Sequence, residues 1–205
     1  MKIIAVGMNY ANHNKEMQNP LLLSEPVIFM KSDSALLKDG KPFFIPDFSS
    51  EVHYETEVVV KINRIGRNIA EQFAHRYYDE LTVGIDFTAR DLQRELRRKG
   101  LPWEISKGFD RSAVVGDFIT VGEAGGDIQQ LDFHLDIDGS AVQRGKTSDM
   151  LFTVDRIISY TSRFFTLKMG DLIYTGTPAG VGPVRIGNRL EGYLGERKLL
   201  DFYIR

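Results

Sequence analysis

Cysteine is absent from the 205 residues. That absence removes disulfides, thiolate nucleophiles, zinc–thiolate sites and iron–sulfur clusters. Apolar runs are short, and none approaches the roughly 20 residues of a membrane helix, so no membrane partner is expected. The opening MKIIAVGMNY carries one lysine and a brief apolar run, and reads as a first strand instead of a leader peptide. Neither sign of charge dominates: 26 Lys plus Arg face 28 Asp plus Glu, for a net charge of −2. A nucleic-acid partner calls for a basic excess on one face, so none is expected. Linkers, low-complexity tracts and repeats are also lacking, which predicts one domain over residues 1–205. A cytoplasmic location is the expectation. What is present, 42% hydrophobic and 26% charged residues, is the composition of an ordinary globular protein.

Familiar phosphate and ion motifs fail on spacing. Between Gly139 and the Gly145-Lys146-Thr147 run lie five residues where a phosphate loop has four. His134-x-Asp136-x-Asp138-Gly139 begins like a calcium loop but puts Gly145 where a bidentate glutamate is needed. Gly176, Gly180 and Gly182 have dinucleotide-type spacings in the wrong order.

Hydrophobic patterning predicts strands at residues 2–7, 26–31, 52–62, 81–87, 131–137, 172–175, 189–193 and 198–204. Helices are predicted at 69–80, 89–99 and 154–165, the last with Ile157, Ile158, Thr161, Phe164 and Phe165 on a buried stripe. Residues 9–18 read as a short helix or ordered loop closed by Asn19-Pro20. Gly100 followed by Pro102 ends the second helix, and Asp138-Gly139 makes a hairpin turn. Strands outnumber helices, so the class is α+β and β-rich, neither a doubly wound sheet nor a bundle.

Within the strongest strand stands His53-Tyr54-Glu55-Thr56-Glu57, where a period of two turns both glutamates to one face beside Val58, Val59 and Val60. An isolated pair of this kind also fits a solvated sheet face. Asp86 ends a second apolar strand, and strand ends are where site residues are commonly presented. Three carboxylates without cysteine suit a hard divalent cation, Mg²⁺ or Mn²⁺, with open positions left for a substrate and water. Three acids against a divalent ion leave one negative charge, so a nearby cationic side chain is expected. A second constellation is His13-x-x-Glu16, where helical spacing lets the carboxylate orient an imidazole as a general base. It also fits a surface histidine with an incidental ion pair. His53 shares the face of the two glutamates and is expected to support them rather than to ligate.

The ordered set Gly7-x-Asn9-Tyr10-x-x-His13-x-x-Glu16, His53-Tyr54-Glu55-x-Glu57, Asp86-x-Thr88-Ala89-Arg90-Asp91-x-Gln93, Gly100-Leu101-Pro102-Trp103, Lys107 and Gly176-Thr177-Pro178-Ala179-Gly180-Val181-Gly182 resembles the fumarylacetoacetate hydrolase family. The similarity is to its short branch of acylpyruvases, oxaloacetate decarboxylases and oxaloacetate tautomerases. The resemblance implies a mixed β-roll with a few peripheral helices, a homodimer, and Glu55, Glu57 and Asp86 as ligands of Mg²⁺ or Mn²⁺. It further implies Lys107 as the active-site lysine, His13 and Glu16 as a dyad on a lid spanning 8–20, and Gln93 and Thr177 as contacts to substrate oxygens. Arg90 is expected either to support the carboxylates or to pair with Asp91. Met8 departs from the arginine that many relatives carry there. The implied chemistry is cleavage of acylpyruvates, or decarboxylation or tautomerisation of oxaloacetate, through an enolate of a small 2-oxo acid. Isomerisation or hydration of unsaturated 2-oxo dicarboxylates, of the 2-hydroxyhepta-2,4-diene-1,7-dioate type, is the alternative, as is a non-catalytic module that binds a metal–oxoacid complex.

Overall fold

The computed structural model describes residues 1–17 and 23–205. Asn19-Pro20 and the end of the expected lid, residues 18–20, therefore lie outside the described residues. Four α-helices occur among the described residues: α1 (Ala11–Glu16), α2 (Arg90–Lys99), α3 (Glu104–Lys107) and α4 (Val154–Phe164). None of the helices is long and apolar enough to cross a membrane. The rest is dominated by strand, as the α+β expectation required.

The main sheet has eight strands. Along its path lie Val27–Lys31, Ile3–Gly7, Leu172–Tyr174, Thr56–Ile62, Tyr78–Asp86, Ala113–Val115 and Leu36–Leu37, with Ile119–Thr120 also paired to Tyr78–Asp86. Pairing is mixed: Ile3–Gly7 runs parallel to Leu172–Tyr174, whereas Thr56–Ile62 and Tyr78–Asp86 are antiparallel. A four-stranded antiparallel sheet (Ser140–Lys146, Asp132–Ile137, Arg189–Leu194, Arg197–Tyr203) packs against it, and a small third sheet joins Gly182–Pro183, Val52–Tyr54 and Thr88–Ala89. Asp138 and Gly139 both take positive φ in the first hairpin, as the Asp-Gly signal demands.

Thr56–Ile62 is buried on both faces, which is why it reads as a continuous β-branched run instead of an alternating one. Val58 and Val60 join one core with Leu81, Val83, Ile157 and Ile158, while Val59 packs on the other side with Ile3, Ala5 and Tyr174. Strand 78–86 must pass close to its neighbours at Gly84. A Cβ there would lie 2.6 Å from the Val114 carbonyl and 2.7 Å from Val59 Cγ2, so only glycine fits.

Three expectations need correcting. The run 52–62 is two strands, Val52–Tyr54 and Thr56–Ile62, which belong to different sheets with Glu55 at the corner between them. The helix expected at 69–80 is a 3₁₀ segment, Glu71–Tyr77, because Tyr78 and Glu80 are taken up by pairing with Ile62 and Lys61. Phe164 and Phe165 both leave the buried stripe of α4: Phe164 is 53% exposed at the last turn and packs edge-on against Tyr160, and Phe165 is the half-buried, extended residue after the helix. Elsewhere α4 follows the pattern, with Thr153 accepting from the Arg156 amide as N-cap. α2 ends at Gly100 in the left-handed conformation, its amide bonded to the Arg97 carbonyl and that of Leu101 to Leu96.

Candidate active site

The break at Glu55 and the end of strand 78–86 bring three acids together. One oxygen from each of Glu55, Glu57 and Asp86 lies within 4.8 Å of the others, and all three residues are buried. The corner is fixed by the backbone, since the Asp86 amide donates to the Glu55 carbonyl at 2.8 Å. Glu57 points the same way as Glu55, as the two-residue period predicts, and its Oε2 accepts from the Gly176 amide at 2.6 Å.

Buried carboxylates need counter-charge, and the fold supplies three cations. Arg90, at the start of α2, donates through Nη2 to Glu55 Oε1 at 2.6 Å. It supports the cluster, whereas Asp91 turns away to accept from Ser49 and Ser50. Lys107, at the end of α3, donates to Glu55 Oε2 at 2.7 Å and to Asp86 Oδ2 at 2.8 Å. The third cation is Lys31, at the end of strand Val27–Lys31, whose side chain is wholly buried with Nζ 2.6 Å from Asp86 Oδ1. Lys31 also donates to the Lys107 carbonyl and to Ser112 O and Oγ, so it ties Asp86 to the backbone that carries Lys107.

Charge coupling polarises the group. Burial raises the Glu55 carboxyl, but Lys107 and Arg90 outweigh it and hold the group well below the usual carboxylate range. Glu57 moves the other way: burial, then the Asp86 and Glu55 anions, push it well above that range. Burial lowers the Lys107 ammonium, yet Asp86 and Glu55 outweigh it and keep the pKa raised, so the side chain stays charged. Glu57 has no ion-pair partner among the described residues, while the other two acids are paired. Oxygen-only donors, close spacing and a buried carboxyl lacking a cation fit a hard divalent ion such as Mg²⁺ or Mn²⁺.

Above the cluster opens a cleft lined by Glu55, Asp86, Arg90, Gln93, Lys107, Thr177 and His13, with Met8, Met17, Phe29 and Trp103 as apolar walls. His13 sits on α1, its Nδ1 3.4 Å from Glu16 Oε2. Burial depresses its pKa, with Glu55 and Glu16 opposing, so the ring is neutral near pH 7. Glu16 also accepts from the Gly180 amide at 3.2 Å, which fastens α1 to the glycine-rich turn. Asn9 pins the base of this segment, donating to the carbonyls of Phe152 and Thr175 and accepting from the Phe152 amide. Gly176 is required beside it: its φ is +100° and a Cβ would meet Asn9 Cβ at 2.8 Å.

Gln93 and Thr177 both line the cleft. Gln93 Oε1 accepts from Arg90 at 2.6 Å, and Thr177 Oγ1 donates to the Thr56 carbonyl at 2.9 Å. His53 does not reach the cluster directly; it stands between Arg90 (3.4 Å) and Glu51 (3.0 Å). Sequence reasoning missed Lys31 and Gln143. The buried Gln143 donates to Thr177 Oγ1 and the Pro178 carbonyl and accepts from the Thr56 amide, so it sets the turn against the strand. A lone lysine closing the apolar run Val27–Lys31 was the available signal for the first. The second sits among exposed hairpin residues and offered none.

Buried oxygen donors and cations at the base of a cleft in an α+β fold make an acid-centred enzyme site. Residues 2–201 match the fumarylacetoacetate (FAA) hydrolase C-terminal family, and the chain belongs to that family of enzymes. It is 42% identical over 189 residues to the mitochondrial oxaloacetate tautomerase FAHD1 of Mus musculus, covering 92% of this chain and 85% of the relative. It is 40% identical over 189 residues to the oxaloacetate tautomerase YcgM of Escherichia coli K12, covering 92% and 86%. Among solved structures, the fumarylpyruvate hydrolase of Pseudomonas aeruginosa in complex with Mn²⁺ and pyruvate superposes with a TM-score of 0.92 at 35% identity, covering 100% of this chain and 89% of that one. The mouse relative is named as mitochondrial, so family membership does not carry the expectation of a cytoplasmic location.

Proposed function

We propose that this enzyme is a divalent-metal-dependent hydrolase and lyase of small 2-oxo acids. It cleaves the C3–C4 bond of acylpyruvates such as acetylpyruvate and fumarylpyruvate, and acts on oxaloacetate by decarboxylation or tautomerisation. The observation that carries the reading is the buried triad Glu55, Glu57 and Asp86 beneath a cleft that also holds a neutral histidine and a charged lysine. The named activities of the mouse, Escherichia coli and Pseudomonas relatives support it.

Glu55, Glu57 and Asp86 would hold the cation, Mg²⁺ or Mn²⁺. When bound, it supplies Lewis-acid polarisation of a substrate oxygen. Lys107 stays charged and stabilises negative charge developing on the substrate at close range, an effect strengthened by burial. His13, neutral and steadied through Nδ1 by Glu16, removes a proton from the attacking water. That hydroxide adds to the distal carbonyl carbon of an acylpyruvate; the C3–C4 bond then breaks with its electron pair going to C3, which is protonated to give pyruvate. Gln93 presents an amide to substrate oxygens, and Thr177 reaches them by turning its hydroxyl from the Thr56 carbonyl. Residues 8–20 act as the lid, with Glu16 both orienting His13 and fastening the lid to Gly180. Oxaloacetate needs no water attack, so it depends less on the dyad. The active form is proposed to be a homodimer, which light scattering tests.

The test is a panel of acetylpyruvate, fumarylpyruvate and oxaloacetate assayed with Mg²⁺ and Mn²⁺, before and after chelation. Turnover that needs the metal supports the reading. Full activity in the chelated protein, or no turnover of any member, overturns it.

A further inference from the structure

We propose that Arg97 selects substrates carrying a second carboxylate at the end remote from the 2-oxo acid. The inference rests on the 2-oxo acid reading above and adds, among its substrates, a preference for chains longer than oxaloacetate.

α2 leads from the carboxylate cluster to the mouth of the cleft. Arg90, Gln93 and Arg97 all line the cleft, and their spacing of three and then four residues puts them on one helix face. At 1.5 Å of rise per residue, Arg97 lies about 10 Å further out than Arg90. The two arginines differ in what they hold. Arg90 is committed to Glu55 and Gln93. Elsewhere on the helix Arg94 is bound to Glu51 and Lys99 to Glu95. The guanidinium of Arg97 has no acid, acceptor or ring partner among the described residues, although it borders the cleft.

The lining also carries four large apolar side chains, Met8, Met17, Phe29 and Trp103, with Phe29 beside Lys107. A polar inner end, apolar wall residues and, at the rim, a guanidinium without a partner among the described residues match a linear molecule with an anion at each end. With its 2-oxo acid end at the inner cluster, oxaloacetate has only one further carbon before its second carboxylate, which keeps that group near the cluster. A seven-carbon chain of fumarylpyruvate length carries its second carboxylate three carbons further toward Arg97. The planar fork of arginine then accepts the outer carboxylate in two parallel hydrogen bonds. Exposure at the rim limits the gain to about tenfold in affinity.

Two unreactive probes with one skeleton isolate this contact: 2-oxoheptanedioate, which has the distal carboxylate, and 2-oxoheptanoate, which lacks it. Their binding to the Mn²⁺-loaded protein is measured by isothermal titration for wild type, Arg97→Met, Arg97→Lys and Arg98→Met. Wild type binds the dioate about tenfold more tightly than the monoacid. Arg97→Met brings the two affinities within about twofold, Arg97→Lys falls between, and Arg98→Met, one position round the helix, keeps the wild-type ratio. Equal binding of both probes by wild type overturns the role of Arg97 while leaving the 2-oxo acid reading intact, and so does an equal loss in Arg98→Met, which assigns the effect to net charge. Binding of neither probe overturns both.

Discussion

Replacing Lys31 by Met tests whether the buried cations are a requirement of the acid cluster or a by-product of packing. The substitution keeps chain length and apolar volume but deletes the ammonium. Asp86 Oδ1 then loses a charge 2.6 Å away, and the carbonyls of Lys107 and Ser112 lose their shared donor. Breaking one side of a buried ion pair costs about 3–5 kcal/mol. Burial already depresses the Lys31 ammonium, with Asp86 opposing, so relief of its desolvation offsets part of the loss. The lower end, about 3 kcal/mol, is therefore expected, against a total stability of about 5–15 kcal/mol. For a chain of this size that is a fall in Tm of about 6–12 °C. Urea and thermal unfolding in chelator at pH 7 measure it directly. A loss below about 1 kcal/mol would falsify the reasoning, because Asp86 would then be shown to need no counter-charge from Lys31.

Other outcomes follow from the same geometry. Glu57 is held above the ordinary carboxylate range by burial and by Asp86 and Glu55, yet must be ionised to ligate. Metal binding should therefore release a proton and weaken as pH falls; titration heats that do not vary with the ionisation enthalpy of the buffer would contradict this. Burial depresses His13, so the acidic limb of hydrolysis should lie below the ordinary imidazole value of about 6.5. By the same sign the histidine favours the unfolded state as pH drops below about 6.5, since the unfolded chain takes up the proton first. His13→Ala should cost hydrolysis about 10²–10⁴-fold and oxaloacetate decarboxylation much less; equal losses would remove its role in water activation. Gly84→Ala should destabilise by about 1–3 kcal/mol, because its new methyl meets strand backbone at 2.6 Å; an unchanged Tm would show that the sheet can yield there.

Much of this site was legible because its residues lie close together in local patterns. Glu55 and Glu57 share a face through strand alternation, and Asp86 marks a strand end. His13 and Glu16 meet through one helical turn, and Gly100 announces the end of α2. What escaped was long-range. Lys31 meets Asp86 from 55 positions away, and Gln143 reaches Thr56 and Thr177 from a hairpin in another sheet. Neither partnership leaves a local periodic trace. The bend at Glu55 was hidden for a related reason: strand-forming residues stand on both sides of the corner, Val52 and Tyr54 before it and Thr56 and Val58 after it, and only the pairing of Val52–Tyr54 with Gly182–Pro183 and Thr88–Ala89 shows that the chain has changed sheets. At 69–80 a helical pattern lost to strand pairing, a case of tertiary contacts overriding local preference.

The most direct measurement is a Mn²⁺ titration followed by electron paramagnetic resonance, comparing wild type with Glu57→Gln. One ion per chain is expected in wild type, with an affinity at least about tenfold weaker once this carboxylate becomes an amide. Wild-type affinity retained in Glu57→Gln, or no specific binding by wild type, would contradict the claim that these three acids share a single cation.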